Sequence, residues 1–232
     1  MYIMHEGGKQ EDILLYLREK DQGYKLEVVE SDQNCFISHI NSISDFYIQM
    51  EQDASSLEAV SNILESEEKI ELDGASIGQI CAALYPEDNK WYRAKCIGSR
   101  EGKFKVHFID FGNRCWTKRI AELSNLPKIF EIPNYAKHCE LQNTSSIAEW
   151  SEEAEKKFVE LSADGETIFV VQMKKPDKKA LVELFMNEKS VHDELIELCP
   201  KATNPNYHDF ELTNENFMMD KSIEAGKTED TI

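Results

Sequence analysis

The sequence predicts a mostly β protein with a few helices, an α+β chain in which a compact barrel is inserted between the two halves of a second strand-rich unit. Three observations carry this expectation. Short runs of strand composition, broken by clusters of Gly, Pro, Asn, Asp and Ser, recur from residue 26 to residue 185. Helical periodicity is concentrated in residues 55–65 and 150–161. Residues 84–113, LYPEDNKWYRAKCIGSREGKFKVHFIDFGN, set six aromatic rings among turn residues and end on Asp-Phe-Gly-Asn.

Residues 1–24 are a mixed polar extension with one weakly amphipathic piece at 13–17. Strand signal begins at Leu26, Val28 and Val29, continues through 35–43 and resumes at 46–50, with Ser44-Asp45 as a break. A linker helix follows from Ser55, with Leu57, Val60, Ile63 and Leu64 on one side and a Ser-Ser start suited to capping. The barrel stretch then reads as strands at 80–85, 91–97 and 104–108. Pro86-Glu87-Asp88-Asn89 and the 98–102 segment are the connections, and 115–118 forms a fourth strand. After Pro127 and Pro133 come a strand at 136–141 and a helix on which Trp150, Ala154, Phe158 and Leu161 recur, closed by Gly165. Residues 168–173 and 180–185 form a hairpin around a lysine-rich turn, 191–198 form a short helix, and an acidic tail occupies 199–232. The organisation is thus 1–24 extension, 25–54 paired with 134–198, linker helix 55–66, barrel 75–130 and tail.

Composition narrows the function. With 44 acidic against 26 basic residues the formal charge is −18, which opposes a broad grip on phosphates and favours cationic partners. No apolar run approaches the length of a membrane span, and the N-terminus lacks a signal-peptide pattern, so an intracellular protein is expected. Six scattered cysteines without a CxxC pair read as reduced core residues. There is no GxSxG or HExxH. His138 and Cys139, being adjacent in a strand, point to opposite faces and make a poor nucleophile pair. Gly226-Lys227-Thr228 has Lys221 where a phosphate loop needs glycine. No enzyme, metal or cofactor is therefore expected. The lysines around Pro176 either touch an RNA backbone or form a solvated turn.

The barrel's rings are placed oddly for a core. Tyr85 abuts a proline turn, Phe111 precedes Gly112, and Trp91 and Tyr92, as neighbours in a strand, face opposite ways. If Trp91 enters the core, Tyr92 and Phe108 are presented together, and rings gathered at one barrel end make a cage for a cation, each contact contributing roughly 0.5 to 2 kcal/mol. The same rings could also pack simply as barrel core. An amide such as Asn113 favours a guanidinium N–H over methyl-lysine.

The run Trp91-Tyr92-Arg93-Ala94, followed by Phe108-Ile109-Asp110-Phe111-Gly112-Asn113, resembles the signature of the extended Tudor domain family. The likeness continues through Leu126-Pro127, Cys139 and the Trp150 helix, over roughly residues 25–198. It implies a five-stranded Tudor barrel inserted into a staphylococcal-nuclease-like (SN-like), OB-type β-barrel and joined to it by the linker helix. It also implies a methylarginine cage of Tyr85, Tyr92, Phe108, Phe111 and Asn113, with Asp110 and Arg93 as structural support. The implied ligand is a symmetric dimethylarginine peptide, such as the tail of a PIWI-class Argonaute in the piRNA pathway, or an Sm protein tail, with RNA secondary and no membrane partner. The implied place is cytoplasmic, in perinuclear germ granules; a single-stranded RNA-binding OB-like module and a cage-independent protein scaffold are the alternative readings. The nuclease-like half carries no constellation of acids and arginines for phosphodiester cleavage in 25–50 or 166–187.

Overall fold

The computed structural model describes residues 32–142, 149–162, 165, 167–175 and 178–199. In chain order, β1 (Gln33–Ser42) and β2 (Asp45–Met50) lead through a 3₁₀ turn at Glu51–Asp53 into α1 (Ala54–Ser66). Then come β3 (Lys69–Glu71), β4 (Ile80–Leu84), β5 (Trp91–Arg100), β6 (Lys103–Phe108), β7 (Arg114–Thr117) and β8 (Ile120–Leu123). A second 3₁₀ turn at Pro127–Glu131 precedes β9 (Lys137–Leu141) and α2 (Glu152–Leu161). The remaining elements are β10 (Phe169–Lys175), β11 (Ala180–Met186), the short β12 (Lys189–Ser190) and α3 (Val191–Ile196).

The flanks close on each other. β1 pairs with β2 and β10, β10 with β11, β11 runs parallel to β9, and β9 pairs with β2, so five strands from both sides of the insertion form an OB-type barrel. Its core is continuous across the two flanks: Phe46 and Ile48 pack with Cys139, Phe158, Phe169, Val182 and Leu195. Phe46 meets Phe158 edge-on at 5.2 Å. Here α2 starts on Ser151, whose hydroxyl accepts the Ala154 N–H, and its glutamate-rich first turn complements the helix dipole.

The inserted Tudor barrel has the strand order β8-β4-β5-β6-β7, with β3 added outside β8. Small residues (Cys81, Ala83, Ala94) let its walls approach, and Val106, Phe108 and Ile120 fill the interior. A register shift between Cys96 and Gly98 bends β5 around the barrel. The linker helix α1 lays Val60, Ile63 and Leu64 against Trp91, Ala121, Leu123 and Ile129 on the barrel's outer side. The Trp91 N–H donates to Glu65 at 2.7 Å, tying the last turn of the helix to the first residue of β5.

Some expectations are corrected. The Ser-Ser pair does not cap the linker helix: the 3₁₀ turn starts it early, Asp53 stands at the N-cap without a side-chain hydrogen bond to the helix end, and Ser56 is buried within it. The strands β3, β8 and β12 and both 3₁₀ turns go unread in the sequence. The extension 1–24 with its piece at 13–17, the strand start at Leu26, Val28 and Val29, and the tail from 200 onward lie outside the described residues. The six cysteines are free thiols, and burial pushes Cys35 and Cys81 up to about 12, as suits small apolar residues.

Two contacts weld the barrels and hold the loop between β6 and β7. Arg93, fully buried on β5, makes a bidentate pair with Asp110 (2.9 and 2.6 Å), and its other three N–H groups donate to the carbonyls of Ile129, Ile132 and Pro133. Asp110 also accepts the Tyr135 N–H. The second weld is Tyr47 of β2. It packs on Gly112, stacks on His138 at 4.7 Å and meets His107 edge-on at 5.5 Å, while the Ser38 hydroxyl donates to the Phe111 carbonyl at 2.8 Å. Gly112 has φ +98°, and an added Cβ would come within 2.2 Å of Tyr47 Cγ. Gly112→Ala is therefore expected to cost about 2–4 kcal/mol, from positive-φ strain plus overpacking. A urea midpoint equal to the parent's would refute this.

Candidate functional site

The strand register brings the predicted site together. Leu84 faces Trp91 and Ala94 faces Phe108, so Tyr85 (just past β4), Tyr92 (second in β5) and Phe108 (last in β6) reach the same end of the barrel. Phe111 and Asn113 follow on the Asp110 loop. Alternation along β5 sends Trp91 toward α1 and Tyr92 toward this end.

The four rings form a nearly orthogonal set. Tyr85 stands 6.3 Å from Tyr92 and 5.3 Å from Phe108; Tyr92 stands 5.9 Å from Phe108 and 5.1 Å from Phe111. All four interplanar angles lie between 77° and 82°. In each such pair the edge of one ring is set against the face of its neighbour, the arrangement favoured by the ring quadrupoles. Phe108 differs from its expected role. It is only 1% exposed and packs with Ala94, Val106 and Ile120, so it is barrel core and the floor of the ring cluster at once, whereas Tyr85, Tyr92 and Phe111 are half-buried.

Carboxylates rim the cluster. The Tyr92 hydroxyl donates to Asp88 Oδ2 at 2.6 Å, and Asp88 Oδ1 accepts the Lys90 N–H at 3.0 Å. Burial, with Asp88 and Glu65 nearby, pushes the Tyr92 hydroxyl above its usual range, and burial with Glu87 does the same for Tyr85. Both rings stay neutral at physiological pH. Asn113 adjoins the Tyr85 hydroxyl, and its Oδ1 is buried without a hydrogen-bond partner. A buried acceptor left unpaired costs about 1–3 kcal/mol, so it is primed for an incoming donor.

Neutral rings, anionic rim and one unpaired acceptor suit a weakly hydrated cation that still carries an N–H. Sequence reading missed the rim. The signal was available: Pro86-Glu87-Asp88-Asn89 connects two ring positions, so its acids had to stand at the cluster's edge. Among the described residues, no group of three or more His, Cys, Asp or Glu is placed to hold a metal, and no helix is long and apolar enough to cross a membrane.

A small five-stranded barrel set into an OB-type barrel, with orthogonal rings at its free end, defines the class of inserted-barrel modules built around a ring cluster. The chain belongs to the Tudor domain family, whose model matches residues 27–143. Protein tudor of Drosophila melanogaster is 36% identical over 179 residues, covering 76% of this chain and 7% of that protein. Mouse RING finger protein 17 is 31% identical over 184 residues, 72% of this chain and 11% of the relative. The chain thus spans a small part of the relatives it matches. Among solved structures, a Tudor–Aubergine complex with an me2s arginine superposes with TM-score 0.62 at 26% identity, covering 71% of this chain and 99% of that one. The human TDRD1 extended Tudor domain, in complex with a symmetrically dimethylated peptide, gives 0.63 at 26%, covering 75% and 91%. The fold is that of an extended Tudor domain.

Proposed function

We propose that this module binds symmetrically dimethylated arginine in Arg-Gly- or Arg-Ala-rich peptides, as a non-enzymatic adaptor. The observation that carries the reading is the buried, unpaired Asn113 Oδ1 beside four orthogonal rings. The methylated guanidinium enters between Tyr85, Tyr92 and Phe111 over the Phe108 floor. Its methyl groups meet π faces, its charge meets the field of Glu87 and Asp88, and a remaining N–H donates to Asn113. Phe111 also lines a groove with Phe36, Ile37, Met50, Leu57 and Glu58, between the two barrels and the linker helix. The peptide flanking the modified arginine runs into this groove, where apolar walls suit Gly and Ala and Glu58 suits a neighbouring arginine. The solved complexes, of Tudor with Aubergine and of the human TDRD1 domain with a symmetrically dimethylated peptide, support the ligand class. They favour the tail of a PIWI-class Argonaute as the partner, with an Sm tail as a further candidate, and we infer a cytoplasmic germ granule of the piRNA pathway as the setting. A net charge of −18 speeds encounter with such basic tails.

Calorimetric titration with one Arg-Ala-rich peptide in unmodified, symmetric dimethyl, asymmetric dimethyl and trimethyl-lysine forms tests this. The symmetric form is expected to bind about tenfold or more tighter than the unmodified one, the scale of one or two well-placed ring contacts. Equal affinity for all four would remove the cage from the account.

A further inference from the structure

On the junction between the two barrels lies a second cleft, of about 500 Å³, whose chemistry is opposite to that of the ring cluster. In a chain of net charge −18, it is lined by Lys95, Lys137, Lys178, His107 and His138. The strand pairings explain why they converge. Lys95 of β5 lies opposite His107 of β6, and Tyr47 of β2 lies opposite His138 of β9, with Lys137 at the first position of β9. Because Tyr47 stacks on His138 and abuts His107, three rings make a row across the junction, with lysines beyond both ends. Ile109, Met173 and Ala180 supply apolar lining.

The hairpin lysines divide their work. Lys174 pairs with Glu183 and Lys179 with Glu140, both in half-exposed ion pairs, and Lys178 lines the cleft. His138 faces Asp45 at 2.6 Å, which occupies its Nε2. His107 is neutral at physiological pH, because burial pulls it down to about 4. Its Nε2 is buried without a partner, an acceptor on the cleft wall.

We propose that this cleft binds single-stranded RNA, holding one phosphate-bearing nucleotide: Lys95, Lys137 and Lys178 take the phosphates, Ile109 and Met173 the base, and His107 Nε2 a sugar hydroxyl or base amino group. The volume lies in the range that encloses a ligand of nucleotide size. RNA is favoured over a phosphorylated peptide because a single nucleotide carries phosphate, a flat apolar base and hydroxyl or amino donors within the span of this cleft. With so few cations set in an acidic surface, grip is local and weak, and its salt slope is modest, about −0.7 for each phosphate engaged. The site does not share residues with the ring cluster and stands whether or not methylarginine binds there.

The test is fluorescence anisotropy of a labelled octauridylate against the full 232-residue chain, from about 25 to 200 mM salt. Lys95→Glu, at an exposed position, and Lys137→Glu, at a half-buried one, are compared with Asn113→Ala. Each charge reversal is expected to weaken RNA binding at least about fivefold and to lower the salt slope by about 1, leaving a methylarginine peptide's affinity unchanged. Asn113→Ala is expected to leave RNA binding as it was. The proposal is overturned if octauridylate does not bind at the lowest salt, if neither reversal alters its affinity, or if a phosphoserine peptide binds the cleft more tightly than RNA. Should Lys137→Glu disturb β9, Lys95→Glu alone decides, since its side chain stands on the other barrel.

Discussion

Asp110→Ala is expected to lower the stability of this protein by about 3–5 kcal/mol, a large share of the roughly 5–15 kcal/mol that holds a typical domain together. The reason is asymmetry. In the parent, Arg93 is fully buried with every N–H engaged, two of them on Asp110. Removing the carboxylate leaves a buried guanidinium without its counter-charge and takes the acceptor from the Tyr135 N–H. The double variant Arg93→Met, Asp110→Leu separates this cost from the worth of the pair. It removes both charges, so the uncompensated cation disappears, yet it strands the carbonyls of Ile129, Ile132 and Pro133, which lose their donors. Recovery is therefore expected to be partial, with the double variant falling between Asp110→Ala and the parent in urea unfolding followed by tryptophan fluorescence. A change within about 1 kcal/mol for Asp110→Ala would mean that Arg93 is satisfied by the carbonyls alone, contrary to the argument from buried charge.

How much of this was legible depended on range. Period-2 alternation in residues 103–108 marked Phe104 and Val106 as interior, and both are buried. Phe108 shares their face of the strand although the sequence reading assigns it to the cage, and as the last residue of β6 it serves core and ring cluster together, which alternation does not encode. β3, β8 and β12, at two to four residues, are too short to display any period. Arg93 is the instructive case. A lone arginine in a strand is ordinarily exposed, and only the fold's delivery of Asp110 and three carbonyls makes its burial tolerable. The Tyr47–Gly112 packing joins residues far apart in sequence from two different barrels, so no local signal could announce it. The ring positions, by contrast, sit at strand ends and turns that composition marks directly, and these the sequence exposes.

Asn113→Ala and Tyr92→Ala are expected to weaken symmetric dimethylarginine binding by about tenfold each, but with different signatures. Tyr92 supplies a π face and fixes Asp88 through its hydroxyl, so its loss removes ring attraction and loosens the anionic rim together. Affinity for every methylated cation, arginine or lysine, falls. Asn113 supplies a single directed acceptor. Its loss falls on ligands that retain an N–H and spares trimethyl-lysine, so selectivity collapses more than affinity for cations in general. The stability readouts diverge as well. Asn113 Oδ1 is unpaired in the free protein, so deleting it relieves an unmet hydrogen bond and is expected to cost the free fold less than a typical buried-amide deletion. A residue that contributes little to the fold yet governs ligand choice is placed there for the ligand. Phe108→Ala cannot make this separation: truncating a ring that is 1% exposed is expected to destabilise the barrel by about 3–5 kcal/mol and would lower binding through unfolding alone. Titrations of the Tyr92 and Asn113 variants with methylarginine and trimethyl-lysine peptides, alongside their urea midpoints, decide the matter. If Asn113→Ala weakens both ligands equally, the amide is scaffolding rather than the selector.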